Sequence, residues 1–514
     1  MSGQAEATAA TGDGTAELRS GGLRRAITIW GSFAWGYADV GADVYVSLGL
    51  VIAAAHGGTP LAFALTGLVY MLIGLAYTEL SSAYPVAGGG QYYTLRGLGD
   101  ALGFVAGWAL LLDFTIDVSL FAIATIGYLG YFFPPLANQP VMGITAVLVI
   151  VFLAGLNFIG IRESSWLNEA FSAVDMVNES AIIVIGFLFA FHPQLLMFQM
   201  TRQLPTLHDF MYGASVAIIS FVGLESISQA AEETLRPATV VPRTSLTLIF
   251  TVLIYAMAFS VLSLGVLPWQ RIAAHSGDPV AWLAAHIPII GVISGPFTAF
   301  LAATLLLASA NTGVMGYSRI TWSMSTFDLL PAWFRAVHPR YRTPYRTIIV
   351  FSGVALLEVV LASLSSNALD TLANMYAFGA VSGYILVLIS LLVLRARDPW
   401  TPRPYRVPGN VTMHDRAGHA WGLPIPTVLG LLGAAFILAL VVWTHTIGRI
   451  AGPAWILLGL AIYLWHRRRA GLPLWGTKPR DWEAEQTRVL TEAGETELLA
   501  RYQAALAARQ REQP

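Results

Sequence analysis

The chain has 514 residues, of which 56% are hydrophobic and only 11% charged, where an ordinary soluble domain carries about 25% charged residues. Lysine plus arginine (29) nearly balances aspartate plus glutamate (30), so net charge points to no nucleic-acid or acidic partner. Cysteine is absent, which excludes disulfides, thiolate metal sites and thiol catalysis.

Residues 1–22 are rich in Ala, Gly, Thr and Ser and lack the apolar core and cleavage site of a secretory signal. They read as a disordered cytoplasmic tail. Apolar segments then follow near 27–55, 60–83, 99–133, 141–160, 167–191, 209–231, 245–268, 288–325, 347–364, 371–394, 424–447 and 451–466. A spanning helix needs about 20 apolar residues, so residues 23–470 are expected to form an all-α membrane domain of about twelve spans. The third and eighth segments exceed one bilayer thickness and predict tilt or an extension beyond the lipid. After residue 470 the chain turns polar, and over 480–512 Trp482, Val489, Leu490, Leu498, Leu499 and Tyr502 are set among Glu, Arg and Gln. The 471–514 segment therefore predicts a cytoplasmic tail with one short amphipathic helix, either solvated or in contact with the membrane surface.

Orientation follows from arginine, because positive residues of short loops stay on the cytoplasmic side. Counting loops alternately, one side holds Arg19, Arg24, Arg25, Arg96, Arg162, Arg236, Arg243, Arg335, Arg340, Arg342, Arg346, Arg395, Arg397, Arg403, Arg406, Arg416 and Arg467 to Arg469, and the other only Arg202, Arg271 and Arg449. This bias predicts an even number of spans with both termini in the cytoplasm, in the plasma membrane.

Within the segments lie Asp39, Asp43, Asp113, Asp117, Asp175, Glu179, Glu225 and Glu358. A charged side chain at a helix centre costs about 2.5–3.5 kcal/mol on insertion scales. Ion pairing does not neutralise most of them, since the only lysine is Lys478 in the tail and Arg319 is the one arginine placed inside a segment. The carboxyls must carry protons or balance a bound cation, and both conditions describe a proton or cation pathway. Asp39 and Asp43, like Asp113 and Asp117, are four residues apart and share a helix face. If both pairs face one cavity, a positive solute or ion relieves their repulsion.

The first segment places Gly36, Gly41, Asp39 and Asp43 at its centre, and the sixth reads Ser220-Phe221-Val222-Gly223-Leu224-Glu225-Ser226. Helix interruption at mid-membrane is tolerated where backbone lines a cavity, so both segments are expected to be broken, as in inverted-repeat transporters.

At these residues the sequence resembles the amino acid-polyamine-organocation (APC) superfamily of permeases. Glu79 to Pro85 and Ala87 to Tyr92 resemble the signature after its second span. Phe221 to Glu225 with Glu232, Glu233, Pro242 and Arg243 is similar to its sixth span and following loop, and Ser309 to Gly313, Ser318-Arg319, Leu330-Pro331 and His338-Pro339 to its eighth span and exit. The resemblance implies a LeuT-type fold of five plus five inverted spans with two appended, secondary active transport, and no cofactor. It implies substrate-binding residues at Asp39, Gly41, Ala42, Asp43, Asp113, Asp117, Phe221, Val222, Gly223, Glu225, Ser309, Asn311 and Tyr376, while the intramembrane carboxyls themselves make Asp39, Asp43, Asp113 and Asp175 the expected coupling-ion residues. Two departures bear on cargo. Where relatives receive a substrate carboxylate on a Gly-Ser/Thr-Gly element, this chain has Gly41-Ala42-Asp43, and like charges about 4 Å apart repel by roughly 4 kcal/mol at an effective dielectric near 20. Where proton-coupled relatives often carry a fifth-span lysine, this chain has Asp175. The leading expectation is a proton-coupled permease for a small cationic solute, a basic amino acid or polyamine, with Trp35, Tyr37, Phe221 and Tyr376 available for cation–π contacts. Tyr37 to Gly41 also resembles potassium-proton symporters of the same superfamily, which keeps an inorganic-cation symporter as the alternative. A non-transporting membrane scaffold is a third reading, and no nucleophile-base pair, metal motif or phosphate loop supports an enzyme.

Overall fold

The computed structural model describes residues 27–86, 88–160, 165–223, 225–229, 231, 234–365, 367–414, 420–474 and 476–512. The expected tail over 1–22, and Arg162, Glu232, Glu233 and Arg416, lie outside them.

Thr28 caps the first helix by accepting the Gly31 N–H at 3.1 Å, and α1 then runs unbroken over Ile29–Ala55. A 3₁₀ turn, His56–Gly58, leads into α2 (Thr59–Ala83), which has Pro60 in its first turn, where a missing N–H is harmless. A short helix, α3 (Gly89–Leu98), precedes α4 (Asp100–Leu129), and Gly99 at φ +92° makes the corner between them. Then follow α5 (Val141–Ile159), α6 (Ser165–Phe189), the short α7 (Pro193–Arg202), α8 (Leu207–Val216), α9 (Glu225–Gln229) and α10 (Pro237–Val266). Two short helices, α11 (Trp269–Ala273) and α12 (Pro279–Ala285), lead to the 36-residue α13 (Gly291–Thr326), α14 (Tyr345–Ser363) and α15 (Ala368–Arg397). The last two long helices are α16 (Ile425–Thr444) and α17 (Gly448–Arg469).

Eleven segments of the described residues are long and apolar enough to cross a membrane; the first, Ile29–Ala83, comprises both α1 and α2. The most apolar stretch of α4 is buried throughout, whereas α5 and α17 leave most of theirs exposed, so α4 is the axis of the bundle and α5 and α17 face lipid. Helix α4 packs most heavily on α13 and α15, α2 packs on α10, and α1 threads between α10, α8 and α13.

Two differences from the sequence reading concern secondary structure. The domain is not purely helical, because Asn410–His414 and Ala420–Pro424 pair as an antiparallel hairpin between α15 and α16. The tail holds two helices, α18 (Trp482–Glu492) and α19 (Thr496–Glu512), and its Val489, Leu490 and Tyr502 are buried. A glycine at φ +68°, Gly494, makes the corner that splits the expected single helix.

The sixth segment is broken as expected. Helix α8 gives way to a 3₁₀ turn, Ala217–Phe221, then to extended Val222 and to Gly223 at φ +105°, before Glu225 starts α9. The first segment is not broken. Its glycines serve close packing instead: a Cβ on Gly36 would stand 2.7 Å from Ile227 and Leu248, and one on Gly41 would meet the Tyr37 ring at 3.1 Å.

Candidate functional site

Arginines gather where the end of α2, the start of α4 and the ends of α15 and α17 meet. At this arginine-rich end the enclosed acids Glu79, Asp100 and Asp398 each have a guanidinium partner among the described residues. Glu79, at the end of α2, meets Arg395 and Arg403 and accepts the Val407 N–H at 2.7 Å. Asp100 takes Arg467 at 2.7 Å and Arg480 at 2.5 Å. Asp398, just past α15, accepts from Arg96 at 2.8 Å and Thr401 at 2.8 Å. Burial opposes ionisation of Asp398, but the Arg96 guanidinium, the Thr401 hydroxyl and Arg403 together hold its carboxyl below the usual range.

At mid-bundle the pattern reverses. Asp39 and Asp43 from α1, Asp113 and Asp117 from α4, and Glu225 from the broken segment converge, and all five are buried. Asp39 is held on both oxygens: Ser309 and Thr312 of α13 donate to Oδ1 at 3.1 and 2.7 Å, and Ser226 donates to Oδ2. Glu225 accepts Tyr384 at 2.8 Å. Tyr376 reaches Asp117 at 3.3 Å. Among the described residues, both oxygens of Asp43, Asp113 Oδ1, Asp117 Oδ2 and Glu225 Oε1 have no hydrogen-bond partner, and none of the ion pairs reaches this group. Carboxylates so enclosed are not stable together as bare anions. Gly223 lets the break approach α1, since a Cβ there would lie 2.8 Å from Asp39 Oδ2 at a backbone conformation L side chains avoid.

A second acidic centre lies between α1 and α6. Tyr37 donates to Asp175 at 3.1 Å and to Glu179 at 2.6 Å, Tyr45 donates to Asp175 at 2.6 Å, and Glu179 Oε1 is unpartnered among the described residues. Asp175 is therefore held in this second centre, which α1 links to the central five through Tyr37 and Asp39.

Other residues singled out in the sequence fall elsewhere. Gly41 and Ala42 lie inside unbroken α1, so their N–H groups belong to the helical ladder. Asn311 is engaged by Asn157 of α5 at 2.6 Å. Phe221 stacks on Tyr70, with centroids 5.0 Å apart, and Trp35 lies under the Arg319 guanidinium at 5.2 Å, so of the four aromatics only Tyr376 contacts the central carboxyls. Ser226, Thr312, Tyr384 and Glu179 were missed as site residues. Thr312 stands one turn from Ser309, and Tyr384 about two turns from Tyr376, so helical spacing was the available signal.

Glu358 explains itself locally. It accepts Thr115 at 2.9 Å and Ser119 at 2.8 Å, pinning α14 to α4. Glu358→Gln is expected to leave uptake within about twofold of the parent and to lower stability by about 1 kcal/mol. Uptake assays and thermal melts on the same preparation check this, and a transport-dead but stable variant would contradict it.

A family model described as amino acid permease matches residues 27–465. The chain is 26% identical over 458 residues to the branched-chain amino acid permease of Bacillus subtilis, covering 84% of this chain and 90% of that one. It is 29% identical over 384 residues to the vacuolar cationic amino acid transporter 4 of Arabidopsis thaliana, 70% of this chain and 61% of the relative. It is 26% identical over 401 residues to a methylthioribose transporter of Bacillus subtilis, 72% and 80% of the two chains. With most of its length matched to one family, and a bundle of lipid-compatible helices around a polar centre, the chain belongs to the amino acid permeases of the APC superfamily and is a multi-pass membrane transporter, not an enzyme.

Proposed function

We propose that the protein is a secondary active permease that takes up a cationic amino acid or polyamine together with protons. The observation that carries this reading is the convergence of five buried carboxyls from three segments on a centre with no cationic partner among the described residues. A positive solute supplies the missing charge, and protons supply it when the solute has left. Relatives named as cationic amino acid transporters support the choice. In this scheme Asp43, Asp113, Asp117 and Glu225 receive the solute with Val222, Gly223 and Tyr376 around it, and Asp39 and the Asp175–Glu179 pair carry the coupling protons.

The proposed architecture counts α1 and α2 as separate spans, giving twelve, with five plus five as inverted repeats and α16 and α17 appended. The arginine-rich end faces the cytoplasm, as the positive-inside rule requires, and the membrane is the plasma membrane. A second reading, potassium or another inorganic cation carried with protons, is favoured by one observation: three hydroxyls surround Asp39, an all-oxygen set suited to a hard cation.

Proteoliposomes distinguish the two. Labelled arginine, putrescine, leucine and rubidium are offered with and without an acid-outside proton gradient. Gradient-stimulated arginine or putrescine uptake, lost in Asp43→Asn, is the expected result. Rubidium alone would transfer the reading to the inorganic symporter, and leucine uptake unchanged in Asp43→Asn would refute a cationic cargo.

A further inference from the structure

The tail is docked, and its contacts fall on two helix pairs of the bundle. On one side, the buried Gln486 donates to the Ala83 carbonyl at the end of α2 at 2.9 Å, and Glu495 accepts the Ala238 N–H at the start of α10 at 3.1 Å. On the other, Arg480 donates to Asp100, the first residue of α4, and to the Phe327 carbonyl just past α13 at 2.7 Å, while Lys478 pairs with Asp328 at 2.7 Å. Between them, Trp482 stands edge-on to Tyr92 of α3 at 5.9 Å and against Phe327 at 6.3 Å, and Arg96 of α3 donates to Gln486 at 2.9 Å. Helices α2 and α10 pack on each other, as do α4 and α13, so the tail ties one pair to the other. Directly inside this layer α3 closes on α13, where Ser323 donates to Gln91 at 2.9 Å.

We propose that residues 478–512 are a latch that holds the arginine-rich end of the transporter shut. Opening that end requires the two helix pairs to separate, and the pairs cannot part while Gln486 and Glu495 grip one and Arg480 and Lys478 the other. The exposed Lys478–Asp328 pair contributes little, whereas the buried Arg480–Asp100 pair fastens one edge of the tail. Trp482 and Gln486, wedged against α3, are the anchors, and releasing them shifts the resting population toward the open end without altering the acidic centre.

The chain has no cysteine, so Ser323→Cys introduces a single thiol beneath the latch. In the purified full chain, the rate of its modification by a membrane-impermeant maleimide is compared with that in the same chain carrying Trp482→Ala and Gln486→Ala. The labelling rate is expected to rise about tenfold, because it follows the open population. A chain ending at residue 476 should behave likewise and regain protection when a synthetic 477–512 peptide is added. Glu495→Ala is the milder variant should the double substitution fold poorly, and Ser228→Cys, on α9 beside Gly89 at the start of α3, repeats the measurement at a second position. Equal labelling with and without the tail contacts at both positions would overturn the latch. No solute enters the assay, so its outcome stands whatever the cargo proves to be.

Discussion

Asp39→Asn is expected to lower uptake by about a hundredfold, a loss equivalent to roughly 2.7 kcal/mol, while the protein still purifies as a folded, monodisperse species. The side chain accepts hydroxyls from both sides of the site, Ser226 on the broken segment and Ser309 and Thr312 on α13. An asparagine has one acceptor oxygen where the carboxyl has two, and its amide turns two donors toward hydroxyls that are themselves donating. It also cannot release or take up a proton. The amide is nearly isosteric with the carboxyl, so α1 should keep its packing and the defect should fall on transport. Uptake and thermal melting measured together check this. An asparagine variant with near-parental uptake would show that Asp39 merely orders hydroxyls.

The largest expected effect on stability is at the opposite kind of site. Asp100→Ala leaves two guanidiniums, Arg467 and Arg480, facing an uncompensated position, and Arg467 is fully buried. Removing one partner of a buried pair costs about 3–5 kcal/mol, most of it the penalty of the stranded charge. A marked fall in Tm in detergent and a poor yield of folded protein are expected. The triple variant Asp100→Leu, Arg467→Met and Arg480→Met should recover much of the loss, because apolar groups of similar volume can replace a buried ionic triad at little cost. Failure of the triple variant to recover any would mean that the hydrogen bonds to Lys478 and the tail, not the charge, hold this corner.

How much of this was legible in the sequence differs by length scale. The helix boundaries follow from hydropathy, since a bilayer-length apolar run admits little else; the expected 371–394 and 424–447 correspond closely to α15 and α16. The carboxyl pairs on α1 and α4 were legible from their spacing of four. The unbroken course of α1 was not, because a glycine reads the same whether it unwinds a helix or admits a neighbour such as Ile227. Nor was the separation of Asp175 from the other acids, which depends on which face of α6 meets α1. Asn311 shows the same limit: its motif predicts the span, but its partner Asn157 lies 154 positions away in the chain. The hairpin and the docking of the tail were not legible, because polar segments carry no lipid-driven periodicity and owe their shape to tertiary partners.

The unbroken α1 joins two chemistries on one rod. Tyr37 answers to Asp175 and Glu179, and Asp39, two residues on, answers to α9 and α13. Those positions are about 3 Å apart along the helix axis, within a stiff hydrogen-bonded ladder. A hinged span would let either end settle alone. A rod gives the two centres a shared mechanical coordinate, so in the proposed scheme a proton arriving at one is felt as torque at the other, and slippage between proton and cargo is suppressed by geometry.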